Sequence, residues 1–390
     1  MQKPLPNPQS KQHVIVGMSG GVDSAVAALL LRDAGYSVQA LFMSNWEDDD
    51  GYCTTASDFQ DARRVSETLQ IPLHRVSFAG EYRDRVFSHF LREYAAGRTP
   101  NPDVLCNREI KFGICLSYMQ RLGAAWMATG HYARIRRAGS HIELLKAADT
   151  AKDQSYFLHG VAASALSKTL FPLGGMRKAE VRRIAHAAGL PVFDKPDSTG
   201  ICFIGERPFQ DFLSRHLHTT PGPIETPEGR VLGEHRGLAL YTLGQRSGLK
   251  IGGRAGAAAA PWYVAAKIIE RNALVVVQDQ YHPLLLSDEF SVEQMHWIDP
   301  ADAPAHAIDC AVKTRYRQND LSCSLRSSGA ASWRVTLEHP ARAVTPGQYA
   351  VFYDGERCLG GGIIARRFNF ELAPEARGIP YNSLFSVEGP

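Results

Sequence analysis

Between residues 13 and 31 the apolar positions change their period. Val14, Ile15 and Val16 form a short β-branched run ending at Gly17, while every position from 25 to 31 is Ala, Val or Leu. The first pattern predicts a strand covered on both faces and the second a buried helix, with Asp23 or Ser24 near its start. Gly35 then reads as a C-cap and 37–43 as a second parallel strand, which closes a βαβ unit in about thirty residues. Spacing further predicts a helix over 57–69, a strand over 73–76 and an amphipathic helix over 81–96. A segment over 126–134 that reads as a strand ending in a loop, a helix beginning at 152–158, a basic amphipathic helix over 177–189 and a helix over 209–217 follow.

Past residue 208 the pattern shortens to strand-like pieces at 230–232, 239–242, 263–267 and 274–277, with a low-complexity Gly/Ala stretch at 252–260. From about 286, alternating segments at 310–313, 333–337 and 349–352 predict a closed antiparallel barrel. The expected organisation is an α/β fold: a polar tail over 1–12, a doubly wound parallel-sheet domain over 13–208, a small β-rich central domain over 209–285, a C-terminal β-barrel over 286–370 and a tail over 371–390.

Composition narrows the function classes. The chain has 390 residues, 44% hydrophobic and 21% charged, as in an ordinary globular protein of two or three domains. A formal charge of +3 permits nucleic acid as a partner without requiring it. The polar, proline-containing start is not a secretory signal and no apolar run reaches membrane-spanning length, so a cytoplasmic protein with no membrane partner is expected. Seven cysteines without a C-x-x-C pair exclude a disulfide framework and a four-cysteine metal site. No metal-binding set is expected. The acidic stretch 45–51 lacks calcium-loop spacing and reads as a solvated loop, with a magnesium contact as the alternative.

The chemistry begins at Gly17-Met18-Ser19-Gly20-Gly21-Val22-Asp23-Ser24. Gly20 and Gly21 can take positive φ, backbone N–H groups can converge on an anion at the helix's positive end, and Ser19 and Ser24 add hydroxyls. Neither the Walker nor the dinucleotide pattern fits, yet the turn suits a phosphate chain. Gly130, after a strand, permits close approach of a nucleotide. His131 and Arg134 are readable as contacts to phosphate or RNA, and His131 equally as structural. Cys106 follows Asn101-Pro102-Asp103 and opens a helical stretch with Arg108 and Lys111 nearby. Polar neighbours and the helix end favour a reactive thiolate over a buried small hydrophobe. Asp103 is the carboxylate nearest in sequence. Cys202 has apolar neighbours and gains interest only as a partner of Cys106. Arg315, Tyr316, Arg317, Lys313 and Gln348 combine charge, stacking and hydrogen bonding suited to single-stranded RNA, though exposed strand positions would look the same.

Ser-Gly-Gly-Val-Asp-Ser at 19–24, Asn-Pro-Asp with Cys106, Thr-Gly-His-Tyr-Ala-Arg at 129–134, Lys-Asp-Gln-Ser-Tyr-Phe-Leu at 152–158 and Ser-Thr-Gly-Ile-Cys-Phe-Ile-Gly at 198–205 occur in this order. Together they resemble the bacterial tRNA-specific 2-thiouridylases of the N-type ATP pyrophosphatase, or PP-loop, superfamily. The match continues through 241–246, 313–317 and 346–348 and covers nearly the whole chain. The resemblance implies a PP-loop ATPase domain that binds ATP with Mg2+ through Gly17, Met18, Ser19, Gly20, Gly21, Val22, Asp23, Ser24, Met43 and Gly130. It implies adenylation of the C2 oxygen of the wobble uridine (position 34), a persulfide on Cys202, attack by Cys106, and a transient Cys106–Cys202 disulfide. Asp103 would orient the base or move a proton. Asn101, Pro102, Asp103, His131, Lys152, Asp153, Gln154, Arg315, Tyr316 and Gln348 are the implied tRNA contacts. Implied partners are the anticodon loops of the tRNAs for Lys, Glu and Gln, and a sulfur-relay protein or cysteine desulfurase. The competing expectations are a GMP- or argininosuccinate-synthetase-like adenylating enzyme, and a non-catalytic RNA-binding module.

Overall fold

The computed structural model describes residues 12–46, 55–139, 141–197, 209–251, 260–329 and 331–368. Its first strand, β1 (His13–Gly17), is covered on both faces. Ile15 packs into one apolar cluster with Leu41 and Met127, while Val14 and Val16 pack into a second with helix α1 (Val22–Asp33). Alternation on a pleated strand between two helical layers produces this division. The chain continues through β2 (Ser37–Ser44), β3 (Leu73–Ser77), β4 (Trp126–Ala128), a hairpin of β5 (Arg134–Ala138) and β6 (His141–Leu145), and β7 (Thr169–Leu170). Strands β3-β2-β1-β4-β7, in that order, form a five-stranded parallel sheet. The doubly wound α/β expectation is met.

One sequence reading here is extended and one corrected. Within 126–134 the strand β4 stops at Ala128 and runs into a loop as expected, and Arg134 then opens a hairpin that leaves the parallel sheet. Strand β6 pairs instead with a strand of the C-terminal barrel, Leu144 opposite Cys358 and Leu145 opposite Arg357, so the hairpin's ladder partner is supplied from more than 200 residues away. The helix expected from 152–158 is a single turn, Ser155–Leu158, because Asp153 and Gln154 are engaged in bonds to other segments.

The central domain is a four-stranded sheet of β8 (Gly222–Glu225), β9 (Val231–His235), β10 (Tyr263–Ile268) and β11 (Ala273–Val277), ordered β10-β11-β8-β9 with β8 and β11 parallel. The strand expected at 239–242 is absent. Leu238, Leu240 and Tyr241 are buried, but they form a tight turn between Gly237 and Gly244, both at positive φ, so their apolarity reflects core packing without a ladder. The Gly/Ala stretch falls almost wholly outside the described residues.

The barrel comprises β12 (Leu286–Trp297), β13 (Ala307–Lys313), β14 (Leu321–Ser327), β15 (Ser332–Arg342), β16 (Tyr349–Asp354) and β17 (Arg357–Phe368), and pairing of β12 with β17 closes it. Phe290, Val312, Leu325, Val335, Phe352 and Ile364 fill its interior. Cys310 and Cys323 lie opposite each other on β13 and β14, and Cys358 is buried, in accord with the packing role expected for these three. One apolar cluster runs from Ile15 through Leu274 to Val351, joining all three parts. Among the described residues no helix is long and apolar enough to cross a membrane.

Candidate nucleotide and sulfur-transfer site

The Gly17–Ser24 turn lies at the C-terminal end of β1, where ligands bind in open α/β sheets. Gly20 alone adopts positive φ (+77°), and a Cβ there would stand 2.3 Å from the carbonyl oxygen of Asp58, so the loop sits on the helix Thr55–Leu69. Gly21 is extended (φ −98°) and is the N-cap of α1, which has no side-chain cap. The Ser24 hydroxyl accepts from Ser19 N (3.2 Å), lies 3.1 Å from the Ser19 hydroxyl and donates to Gly21 O. Uncapped first-turn amides and two hydroxyls thus form a donor-rich cradle at a positive helix end. Gly130 closes the far wall: a Cβ there would meet Asp23 C and Ser24 N at 2.7 Å. Met18 is buried with its amide bonded to Leu41 O, and Met43 lies half-buried on β2.

Four basic side chains surround this cradle: Lys152, expected on the RNA side, and Lys178, Arg182 and Lys195, which local sequence did not single out. Lys178 Nζ reaches both Asp23 carboxylate oxygens (2.7 and 2.8 Å) and Asp197 (2.7 Å). Lys195 Nζ donates to Gly20 O (3.1 Å), Asp58 (2.7 Å) and Asp61 (2.5 Å). Lys152 and Arg182 both pair with Asp197, at 2.6 and 3.1 Å. The Tyr132 hydroxyl donates to Asp23 at 2.8 Å, and burial, followed by the Asp23 charge, pushes its pKa up. Residues 155 positions apart in sequence make the Asp23–Lys178 pair, which no local pattern displays. The only signals were the basic face of 177–189 and the polar run from Lys195 to Asp197.

Partial burial pushes the Asp197 carboxyl up, but Lys152 and Lys178 outweigh it and hold the group down to about 2. A carboxyl depressed in the folded state stabilises it above the unfolded value near 4, and that contribution is lost as pH falls from about 4 toward 2. In Lys178→Met the Asp197 midpoint is expected to move toward its unfolded value, read by carboxyl carbon NMR. An unmoved midpoint would show that Lys152 and Arg182 suffice.

Cys106 stands one turn inside a continuous helix over 102–121, whose middle (Cys106–Cys115) is widened to π geometry, a form frequent at functional sites. Asn101 Oδ1 caps it by accepting from Asp103 N (3.2 Å), and Pro102 occupies the first turn. Cys106 is 1% exposed, more enclosed than its polar neighbours suggested, because it packs into the apolar cluster with Val104, Leu105 and Ile110 while Arg108 alone of its near neighbours is exposed. The Asn45 amide, just past β2, points at its sulfur (Nδ2 to Sγ 4.0 Å). Among the described residues the Oδ1 atoms of Asn45 and of Asn107, the residue after Cys106, and the hydroxyl of Ser44, the residue before Asn45, are buried without a hydrogen-bond partner. Burial raises the Asp103 pKa, with the Lys111 charge opposing. Cys115, nine positions on, faces the core, and burial pushes its thiol up to about 12. Cys202 lies outside the described residues.

Most of the expected RNA contacts are engaged within the protein. His131 bonds the Thr129 hydroxyl (2.8 Å) and lies between Phe112 and Phe171, where burial keeps its pKa well below the ordinary value. Asp153 accepts from Ala147 N, Ser155 N and Ser155 Oγ, and Gln154 Oε1 accepts from Tyr132 N. Arg315 donates to Leu243 O, Ala343 O and Thr345 Oγ1, tying the barrel to the central domain. Tyr316 packs on Phe157 at 4.4 Å. Gln348 donates to Thr99 O at 2.8 Å, which brings it next to Asn101–Asp103.

The sequence profile described as tRNA methyl transferase HUP domain matches residues 12–206, tRNA methyl transferase PRC-barrel domain matches 210–278, and Aminomethyltransferase beta-barrel domain matches 287–364. A Methylococcus capsulatus protein named tRNA-specific 2-thiouridylase MnmA is 55% identical over 369 residues, which cover 94% of this chain and all of that one. Proteins of the same name from Chromohalobacter salexigens and Verminephrobacter eiseniae are 56% and 57% identical, covering 91% of this chain and 93% and 98% of theirs.

Proposed function

The chain belongs to the tRNA-specific 2-thiouridylase family, and from that premise we propose that it replaces the C2 oxygen of the wobble uridine (position 34) of tRNA with sulfur, using ATP and a cysteine persulfide. A pyrimidine carbonyl oxygen is a poor leaving group. Attack of that oxygen on the α-phosphorus forms an O–P bond, breaks the α–β bridge and releases pyrophosphate, so AMP becomes the leaving group. The Ser19–Ser24 cradle receives the phosphates, with Met43 and Gly130 beside the nucleotide. Lys178 and Lys195 exchange carboxylate for phosphate oxygens, a charge-assisted contact that strengthens as the leaving pyrophosphate gains charge.

Among the described residues no three His, Cys, Asp or Glu side chains are placed to hold a metal ion. The donors fit magnesium as a companion of ATP: it takes phosphate oxygens, waters and one or two carboxylates, and Asp23 is the loop carboxylate that would hold it. When bound, it offsets phosphate charge.

Sulfur enters as a persulfide on Cys202, delivered by a relay protein or cysteine desulfurase. The Cys106 thiolate attacks the inner sulfur, the Cys106–Cys202 bond forms, and hydrosulfide leaves and adds to C2 as AMP departs. An external dithiol returns two electrons to the disulfide. Asp103, with its raised pKa, can carry a proton at the base. Asn101, Pro102, His131, Lys152, Asp153, Gln154, Arg315, Tyr316 and Gln348 are assigned to the RNA side, in part through the loops they brace. The tRNAs for Lys, Glu and Gln are the proposed substrates.

One observation carries this reading. The phosphate cradle at the end of β1 and the Cys106 sulfur, reached by Asn45 at the end of the adjacent β2, occupy the same edge of one sheet. Purified protein with ATP, magnesium, a persulfide donor and unmodified tRNA is expected to form AMP and 2-thiouridine only when tRNA is present. AMP release with an amine acceptor in place of tRNA would favour the synthetase-like reading, and RNA binding without AMP formation would favour a non-catalytic module.

A further inference from the structure

The five residues that precede the Cys106 helix are gripped by all three parts of the chain. From the central domain, Lys267 Nζ donates to Gly97 O at 3.0 Å. Ile269 crowds the same residue: a Cβ on Gly97, whose φ is +74°, would stand 2.7 Å from its Cδ1. The hydroxyls of Thr242 and Thr99 are 3.4 Å apart. From the barrel, Pro346 O accepts from Thr99 N (3.0 Å), Gln348 Nε2 donates to Thr99 O (2.8 Å), and a Cβ on Gly347 would stand 2.8 Å from Thr99 N. Within the first domain, Arg98 pairs twice with Glu93 at 2.6 Å. Asn101 follows directly and caps the helix.

Lys267 is the unusual member of this junction. Its amine is desolvated, and burial alone pushes its pKa down to about 7. Among the described residues no carboxylate pairs with it, and a buried amine without such a partner costs stability relative to an apolar side chain of similar length. The hydrogen bond to the Gly97 carbonyl is the interaction it makes in return, across a domain boundary.

We infer that Lys267 is a positioning residue for sulfur transfer: by holding the Gly97 carbonyl it sets the 97–101 loop, and through the Asn101 cap the start of the helix that carries Asp103 and Cys106. The central domain and barrel thereby determine where the thiol stands. This rests on the assignment of Cys106 as the attacking thiol.

The test is Lys267→Met in the full-length protein, assayed by single-turnover thiolation at saturating ATP and tRNA with a persulfide donor. Misplacing a reacting group by about an ångström costs up to about a hundredfold, so a fall of at least about tenfold is expected, with tRNA affinity unchanged and a thermal midpoint no lower than that of wild type. A rate within twofold of wild type overturns the inference. So does weaker tRNA binding with a normal saturated rate, which would make Lys267 a binding residue. Should that variant not fold, Gly97→Ala pushes the loop off Ile269, and Ile269→Ala in the same chain relieves the contact. A loss partly restored by the second substitution supports the inference, and a wild-type rate for Gly97→Ala overturns it. Cys106→Ser separately decides the underlying assignment: persulfide-dependent turnover in that variant removes the assignment whatever the Lys267 result.

Discussion

Cys106→Ser is expected to abolish persulfide-dependent thiolation, by more than ~10³-fold, while leaving ATP binding near wild type. Loss of a nucleophile is felt on at least this scale. A serine hydroxyl is not ionised near neutral pH and cannot displace sulfur from a disulfide-like bond, whereas a thiolate can. Cys115→Ser supplies the contrast. That side chain is buried in the same helix with its thiol pushed up to about 12, so the substitution places a hydroxyl in an apolar site and costs about 1–3 kcal/mol of stability without touching the chemistry. Thiolated tRNA from the Cys106→Ser enzyme and a persulfide donor would refute the catalytic role of Cys106. With Cys202→Ser, relay-dependent activity should vanish while free sulfide restores part of it.

Gly20→Ala is expected to raise the KM for ATP about a hundredfold, read from steady-state AMP formation. Two effects combine. An alanine at φ +77° is strained by about 1–2 kcal/mol, and its Cβ would stand 2.3 Å from Asp58 O, which belongs to helical backbone and cannot yield as a side-chain tip would. The loop must move away from the helix, taking the Ser19–Ser24 hydroxyl pair and the α1 amides out of register. Gly35→Ala separates the two causes, since Gly35 has φ +89° but nothing within 4 Å of the added Cβ. It should lower the thermal midpoint by a few degrees and leave the KM unchanged. An unchanged KM for Gly20→Ala would show that the loop does not hold the phosphates.

Much of the architecture was legible because its signals are local. Val14–Val16 and the apolar run after Ser24 specify a strand and a buried helix through their own periodicity, and alternation after residue 286 marks the barrel. Legibility failed where burial and pairing came apart. Leu238–Tyr241 are as apolar as a strand but serve only the core, and Gly222–Glu225, the strand that joins the central sheet in parallel with β11, carries Gly222 and Pro223, which break a strand-like pattern. Cys106 shows the same limit at the site. Its helix start was readable from Asn101 and Pro102, but its enclosure was not, because the apolar cluster that covers it is assembled from distant parts of the chain.

By itself the sequence determined the phosphate-type turn, the cysteine candidates, the order of fold types and, through five motifs in series, the family. These are properties of neighbouring residues, expressed through backbone conformation and short-range period. Tertiary structure decided the rest: that Lys178 and Lys195 face Asp23 and Gly20, that a hairpin of the first domain extends the barrel, and that Lys267 and Gln348 brace the loop before Cys106. A lysine is indistinguishable from any other along the chain until folding brings a carbonyl or carboxylate within hydrogen-bond distance of it, and Asp23, Gly20 and Gly97 lie more than 150 residues from the lysines that reach them.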